Sequence, residues 1–164
     1  MTFVILMGVS GSGKSTIGQA LGEGLNCPFI EGDDLHPPEN IRKMRQGAPL
    51  DDRDRIPWLH AIAAALNATG KEDWAVASCS ALKRSYRNVL RKALDRKVCF
   101  LYLAGERKVL LERMSQREDH FMPTSLLESQ LATLEAPVGE EDVLTIDFDL
   151  PPSEIVARAV EFLS

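Results

Sequence analysis

The chain is poor in cysteine and in positive charge, and it lacks a long apolar run. Its three cysteines are odd in number and far apart, which argues against a disulfide framework or a CxxC-type zinc site and favours a reducing, cytoplasmic compartment. No apolar run approaches the about 20 residues that span a bilayer. The first run, residues 3–7, also lacks the basic flank of a signal peptide, so we interpret it as a buried strand.

The charge balance bears on possible partners. Nineteen Lys and Arg against 24 Asp and Glu give a net charge of −5, whereas nucleic-acid binding needs clustered excess cation. We therefore expect neither nucleic acid nor a membrane as partner. The length of 164 residues, 45% of them hydrophobic, predicts a single domain over 1–164 that buries a core without needing disulfides or a structural metal ion.

Apolar runs alternate with helical patterns, which is typical of a parallel α/β sheet. Strands are predicted at 3–7, 28–31, 74–78, 98–103 and 143–147, with Trp58 and Trp74 in the core. Helices are predicted at 14–24, 38–47, 58–69, 81–95, 106–116, 125–134 and 153–163. The charged segments 32–37, 48–57 and 117–123 are predicted to be irregular, either as ordinary solvated loops or as the lining of a ligand crevice at the strand ends.

A glycine-rich segment follows the first strand and opens the first helix. Gly8-Val-Ser-Gly-Ser-Gly-Lys14-Ser15 matches G-x-x-x-x-G-K-[ST] at every fixed position and in the required context. Such a loop directs backbone N–H groups and a helix N-terminus at phosphate oxygens. The predicted nucleotide-binding residues are Gly8, Val9, Ser10, Gly11, Ser12, Gly13, Lys14, Ser15 and Thr16. Lys14 is expected on the β/γ-phosphates and Ser15 on Mg²⁺; the alternative is a glycine turn with a chance lysine.

Other features separate the classes of nucleoside triphosphate enzyme. The N-K-x-D and D-x-x-G segments of GTPases are missing, and the third strand ends in Ser78-Cys79-Ser80 rather than in the acidic pair of a motor ATPase. The acidic residues follow the second strand instead, in Glu31-Gly-Asp33-Asp34. A carboxylate there can accept a hydroxyl proton and align the oxygen with a γ-phosphate, as in a small-molecule kinase. The alternative for Asp33 is a helix N-cap.

The chain resembles the gluconokinase family over nearly its whole length. The segments that carry the resemblance are Gly8 to Ser15, Gly32-Asp33-x-x-His36-Pro37, Asn40-Ile-x-Lys43-Met44, Gly47-x-Pro-Leu50-x-Asp52-x-Asp54-Arg55-x-Pro-Trp58-Leu59, Cys79-Ser-Ala-Leu-Lys83-x-x-Tyr86-Arg87-x-x-Leu90-Arg91, Arg113-x-x-x-Arg117-x-x-His120-Phe121 and Gln130-x-x-Thr133-Leu134-Glu135-x-Pro137. Glu31 departs from the Asp that the family often has, and Asp34 stands at a variable position.

The resemblance implies a fold, a reaction and an assembly. The fold would be a shikimate-kinase-like P-loop fold, with five parallel strands in order 2-3-1-4-5, helices on both faces, a small lid at about 117–124 and a substrate-binding insert at about 33–60. The reaction would be ATP- and Mg²⁺-dependent phosphorylation of D-gluconate on its 6-hydroxyl, in a homodimer. A kinase for another, shikimate-like hydroxy acid and a non-catalytic nucleotide-binding regulator remain as alternatives.

A gluconate site needs cations for the carboxylate, and arginine can meet it with two bonds. The candidates are Arg55, Lys83 and Arg87, the last two being four residues apart on one predicted helix face; the alternative is a solvated basic face. Arg113 is expected to stack on adenine and Arg117 to act as a catalytic lid cation, unless both only complement a helix C-terminus.

Three further assignments complete the predicted site. Lys14, Asp33 and Arg117 form the catalytic set. His36 and His120 are candidates for substrate hydroxyl groups, although a lone histidine is more often structural. Glu31 is expected to contact Mg²⁺ through a water molecule.

Overall fold

The structure is a computed structural model that describes residues 1–116 and 125–164. Within these two ranges, five parallel strands form one sheet in the order β2-β3-β1-β4-β5, which confirms the predicted order. The strands are β1 Thr2–Met7, β2 Phe29–Ile30, β3 Trp74–Ser78, β4 Lys97–Ala104 and β5 Val143–Asp147. The predicted lid at 117–124, with Arg117 and His120, lies outside the described residues.

In the described part of the chain, seven α-helices connect and flank the strands. They are α1 Lys14–Gly24, α2 Pro38–Arg45, α3 Asp52–Asn67, α4 Arg84–Ala93, α5 Arg107–Ser115, α6 Ser125–Thr133 and α7 Pro152–Leu163, with a 3₁₀ helix at Gly32–Leu35. Helix α1 packs against α7, and α3 packs against α4. No helix within the two described ranges is long and apolar enough to cross a membrane.

The core lies on both sides of β1, the middle strand. Residues 3–7 are completely buried, because β3 and β4 pair with β1 on its two edges and helices cover its faces. A continuous apolar run is the pattern expected of such a strand. The indole of Trp58 is buried as predicted, whereas Trp74, at the start of β3, is half-buried.

Helix α3 begins six residues earlier than predicted. The segment 48–57 was expected to be irregular, but the helix starts at Asp52, and Pro57 lies inside it. Asp51 accepts a hydrogen bond from the backbone N–H of Asp54, and the Asp54 carboxylate accepts one from the backbone N–H of Asp51. This reciprocal capping satisfies donors of the first turn, so dense charge marks a helix start here rather than a loop.

Candidate active site

One cavity of about 260 Å³ opens where the carboxyl ends of β1, β2 and β3 meet. Ligands of open α/β sheets bind at this edge, because the loops that follow the strands converge there. The residues that line the cavity are Ser10, Gly11, Gly13, Lys14, Ser15, Glu31, Asp33, Asp34, His36, Met44, Pro49, Leu50, Arg55, Trp58, Ser80, Leu126, Ser129 and Gln130.

The phosphate loop between β1 and α1 has the backbone geometry that its glycines allow. Gly8, Gly11 and Gly13 all have positive φ, and a Cβ atom on Gly8 would lie 2.9 Å from Ser12 Oγ and 3.0 Å from the carbonyl oxygen of Leu103. A side chain there would meet both strain and a clash. Lys14 Nζ donates to the carbonyl oxygens of Gly8 and Val9, at 3.0 Å each. The ammonium group is therefore held over the loop that precedes it.

A hydroxyl group and a carboxylate meet beside this loop. Ser15 Oγ donates to Glu31 Oε2, and Ser78 Oγ donates to Glu31 Oε1 at 2.5 Å. Oxygen donors of this kind suit Mg²⁺, which keeps several waters and takes few protein ligands. Among the described residues there is no cluster of three His, Cys, Asp or Glu that could hold a metal ion. The residues present thus fit an ion shared with a bound phosphate rather than one held by protein alone.

The backbone before Asp33 is anchored on two sides. The N–H of Gly32 donates to Ser78 Oγ at 2.9 Å, and its carbonyl oxygen accepts from Trp58 Nε1 at 2.7 Å. These bonds hold the start of the 3₁₀ helix against β3 and α3. Asp33 follows directly and lines the cavity together with Lys14. A carboxylate and the phosphate-loop lysine therefore face the same space.

His36 is a neutral hydrogen-bond donor on the cavity wall. Its ring stacks on Trp58, with the centroids 4.1 Å apart and the planes at 13°. Burial and the nearby Arg55 charge lower the pKa of His36 to about 4. The Asn40 side-chain amide nitrogen lies 3.2 Å from Nδ1 and can only donate, so Nδ1 accepts and the ring proton is on Nε2.

Arg55 supplies a buried positive charge to the same cavity. The residue is 6% exposed and lies on the first turns of α3, two positions before the helix proline. Its Nη1 atom lies 3.5 Å from the hydroxyl oxygen of Tyr86, and its guanidinium carbon lies 5.4 Å from the centre of that ring. A cation in this position can pair with an anionic group that enters the cavity.

Comparisons with known proteins agree with this geometry. A model of the shikimate kinase family matches residues 10–164. The thermosensitive gluconokinase of Escherichia coli K12 is 48% identical over 147 residues, which cover 88% of this chain and 78% of that protein. A probable gluconokinase of Schizosaccharomyces pombe is 46% identical over 153 residues, covering 88% and 79%. The crystal structure of a gluconokinase from Sinorhizobium meliloti 1021 shares 51% identity and superposes with a TM-score of 0.86, covering 99% of this chain and 91% of that one.

The chain belongs to the gluconokinase family. This confirms the family that the sequence segments indicated, and the sheet order with its glycine loop is that of a P-loop kinase. Membership of the P-loop kinases supports ATP as the nucleotide of this chain. The cavity of this gluconokinase-family chain holds several of the predicted residues, namely Ser10, Gly11, Gly13, Lys14, Ser15, Glu31, Asp33, His36 and Arg55. Gly8 and Val9 reach Lys14 through their carbonyl groups, and Thr16 is exposed on the first turn of α1.

The structure does not bring Arg87 to the cavity. Its guanidinium is completely buried and makes two bonds to Glu140, of 2.9 and 2.7 Å. The remaining donors reach the carbonyl oxygens of Ala81, Leu82 and Glu135. These bonds occupy the fork that was expected to bind substrate. They also lower the pKa of Glu140 to about 2, so the pair stays charged and ties α4 to the loop before β5.

Lys83 lies outside the cavity lining as well. It precedes α4 as its N-cap residue, so it does not share a helix face with Arg87 as the spacing predicted. Its Nζ atom is 3.1 Å from Asp52 Oδ1, on a half-exposed surface next to Tyr86. Within the described residues, Lys83 is connected to the cavity-lining Arg55 through Asp52 and Tyr86.

Arg113 connects the phosphate loop to the segment after β5. Its guanidinium carbon lies 4.6 Å from the centre of the Phe148 ring, and its nitrogens donate to the carbonyl oxygens of Gly11 and Phe148 at 3.3 Å each. The planar group is thus fixed beside the loop. Asp147, at the end of β5, accepts from the N–H of Asp149 at 2.9 Å and caps the turn that carries Phe148.

Two residues of the site received no role from the sequence. Gln130 on α6 accepts from the N–H of Ser10 at 2.8 Å through Oε1, and its amide donates to Ser10 Oγ at 3.4 Å. Trp58 was predicted as core only, yet it supports both His36 and Gly32. The signal for Gln130 was its presence among the segments that resemble the family; a contact across 120 residues has no local pattern.

Proposed function

We propose that the chain transfers the γ-phosphoryl group of ATP to the 6-hydroxyl of D-gluconate, giving 6-phospho-D-gluconate and ADP. One observation carries the proposal: Lys14 and Ser15 of the phosphate loop share a cavity with Asp33 and with the buried cation Arg55. A phosphate cradle, a proton acceptor and a carboxylate partner are the three parts that such a transfer requires. The gluconokinases that are about half identical over most of their length support the choice of acid.

On the nucleotide side, the loop amides and Lys14 bind the β- and γ-phosphates. Ser15, and Glu31 through a water molecule, would hold Mg²⁺, which would neutralise phosphate charge. Arg113 offers its planar face to the adenine ring, because the opposite face rests on Phe148. Arg117 stays the predicted lid cation that neutralises charge in the transition state.

On the acceptor side, Arg55 pairs with the gluconate carboxylate, and the N–H of His36 donates to a hydroxyl group. Asp33 aligns the 6-hydroxyl and accepts its proton while the oxygen bonds to the γ-phosphorus and the bond to the β–γ bridging oxygen breaks. His120 stays a predicted second hydroxyl contact. Lys83 contributes through Asp52, and Arg87 supports the helix rather than the acid.

A coupled ADP-release assay tests the reaction. Purified protein is supplied with Mg²⁺-ATP and, in turn, D-gluconate, shikimate, L-idonate, glycerate and neutral glucose. We expect turnover selective for gluconate and its loss by orders of magnitude in Lys14→Ala. Selective turnover of shikimate or another acid would keep the kinase chemistry and overturn the substrate. Nucleotide binding that no acid converts into turnover would support a regulator instead.

We further propose that the protein is a homodimer in the cytoplasm, with gluconate rather than nucleic acid or a membrane as its partner. The net charge of −5 and the free thiols of Cys27, Cys79 and Cys99 support this environment. Light scattering coupled to size-exclusion chromatography tests the assembly, with about 36 kDa expected, twice the chain's 18.1 kDa. A mass near 18.1 kDa at micromolar concentration would contradict it.

A further inference from the structure

A short chain of polar contacts runs from the surface to Arg55. Lys83 Nζ and the Tyr86 hydroxyl both donate to Asp52 Oδ1, and Arg55 Nη1 lies 3.5 Å from the Tyr86 oxygen. Asp52 is more than half exposed, whereas Tyr86 is 2% exposed and Arg55 is 6% exposed. The path therefore crosses from solvent to the cavity wall within four side chains, and the proposed reaction assigns no role to the Tyr86 hydroxyl.

The direction of the hydrogen bond between Tyr86 and Asp52 determines whether the Tyr86 oxygen can accept a hydrogen bond from Arg55. The bonds from Tyr86 and Lys83 lower the pKa of Asp52, so its carboxylate is ionised and can only accept. Burial and the bond to Asp52 raise the pKa of Tyr86, so the phenol keeps its proton and donates a hydrogen bond to Asp52. The remaining lone pairs of the phenol oxygen are then available to accept from the Arg55 guanidinium.

We propose that Tyr86 is a positioning residue, whose hydroxyl, oriented by Asp52, holds the Arg55 guanidinium in place for the substrate carboxylate. This inference rests on the proposed function, in which Arg55 binds the gluconate carboxylate. The ring of Tyr86 lies against the same guanidinium, which removes side-chain freedom that binding would otherwise have to remove. A flexible cation fixed before the acid arrives binds it with a smaller entropic cost.

Tyr86→Phe is the direct test, since it removes the hydroxyl and keeps the ring. The matched control is Tyr102→Phe, which changes the chain's other tyrosine, half-buried on β4 and not part of the cavity lining. We expect the KM for gluconate to rise about tenfold in Tyr86→Phe, the scale of one hydrogen bond to a charged group. The kcat and the KM for ATP should stay within about twofold, and Tyr102→Phe should change none of the three.

Two variants of Asp52 examine the next link. Asp52→Asn keeps an oxygen that can accept from Tyr86, whereas Asp52→Ala leaves the phenol without that partner. The rise in the KM for gluconate should therefore be larger for Ala than for Asn. Equal effects of the two, or equal changes in kcat and in both KM values, would indicate a general structural role and overturn the proposal.

A double-mutant cycle shows whether Tyr86 acts through Arg55. The ratio kcat/KM for gluconate is measured at low substrate for Tyr86→Phe, Arg55→Gln and the double variant. In the Arg55→Gln background, the tyrosine change should alter the ratio by less than about twofold. A tenfold loss in both backgrounds would overturn the proposal, as would an unchanged KM in Tyr86→Phe.

The wild type separates this inference from the proposed function. If it does not phosphorylate gluconate, the proposed function fails by itself, and the same variants are measured on the acid that the wild type accepts. If it phosphorylates gluconate and Tyr86→Phe binds it equally well, only the positioning role fails. Thermal unfolding midpoints of all variants are compared, so that a loss of folding is not counted as a loss of affinity.

Discussion

Gly32 lies so close to β3 that a Cβ atom added to it would stand 1.9 Å from the carbonyl oxygen of Ser78. The same two residues are joined by a hydrogen bond of 2.9 Å from the Gly32 N–H to Ser78 Oγ. The clash of an added Cβ would be with the backbone carbonyl of Ser78, so no side-chain rotation could relieve it. The absence of a side chain at Gly32 therefore lets the backbone pass close to β3, which places the next residue, Asp33, at the cavity.

Gly32→Ala should abolish most activity. The methyl group must push the 3₁₀ helix away from Ser78, which breaks the hydrogen bonds to Ser78 and Trp58 and moves Asp33. We expect kcat/KM for gluconate to fall at least about 100-fold, the scale of a misplaced catalytic group. The control is Gly24→Ala at the end of α1, where the new Cβ meets only Val156 at 3.9 Å. That variant should keep full activity; equal activity of the two would refute the steric argument.

Asp33→Asn should reduce kcat far more than it changes the KM for gluconate. The amide can still hydrogen-bond the substrate hydroxyl but cannot take its proton, so a loss of about 10²–10⁴-fold in kcat is expected. Steady-state kinetics at saturating ATP measure both constants. Asp34→Asn is the matched control, because that exposed carboxylate lines the same cavity and carries no assigned role. A change confined to KM would make Asp33 a binding residue.

Glu140→Gln should destabilise the protein at neutral pH by about 3 kcal/mol. The free energy follows from a pKa that the Arg87 and Arg91 bonds lower from 4.5 to about 2, and the buried Arg87 loses its counter-charge as well. A group with a lowered pKa stabilises the fold fully above pH 4.5 and loses that contribution as the pH falls toward 2. Urea unfolding at pH 7 and at lower pH measures the difference, which should shrink in acid.

Glu141→Gln provides the comparison for that experiment. Glu141 is the exposed neighbour of Glu140, so its neutralisation should change the free energy of unfolding by less than about 0.5 kcal/mol at either pH. If Glu140→Gln behaved like Glu141→Gln, the ion pair with Arg87 would not contribute to stability.

Arg113→Gln should raise the KM for ATP severalfold and leave the KM for gluconate within about twofold. The substitution removes the planar cation that rests on Phe148 beside the phosphate loop. Arg107→Gln on the same helix is the control, since Arg107 pairs with Glu128 on the exposed surface. Initial rates with ATP varied at saturating gluconate provide the measurement. A change in the KM for gluconate alone would assign Arg113 to the acceptor side.

Local patterns were sufficient for most of the fold. The apolar run at 3–7 predicted β1 because a strand buried on both faces needs no alternation, and the loop from Gly8 to Ser15 was recognisable because phosphate binding constrains each fixed position. The predicted start of α3, at residue 58, was wrong, because the helix begins at Asp52. The dense charge of residues 48–57 suggested a loop, whereas the reciprocal bonds between Asp51 and Asp54 depend on side-chain geometry that composition does not express.

The site was predictable only where its chemistry is local. Lys14 and Ser15 lie at the end of the loop after β1, and Asp33 lies in the segment after β2, so the topology brings them together at one edge of the sheet. Arg87 was predicted to bind the substrate carboxylate, because nothing in the spacing of its helix points to its partner Glu140, which is 53 residues away. A partner far away in the sequence determines whether a basic side chain faces a ligand or forms an internal ion pair. Residue spacing does not reveal such partners.

The Glu31 carboxylate combines a proposed metal role with a structural one. It stands at the end of β2, a strand of only two residues, and its oxygens are engaged by hydroxyl groups of α1 and β3. The carboxylate proposed to hold the metal thus also anchors an edge strand that forms few backbone hydrogen bonds with its neighbour. A survey of variants scored by folding would classify position 31 as structural, and one scored by turnover would classify it as functional. A substitute at position 31 would have to meet both demands, and a second carboxylate of different reach is the side chain that could meet them.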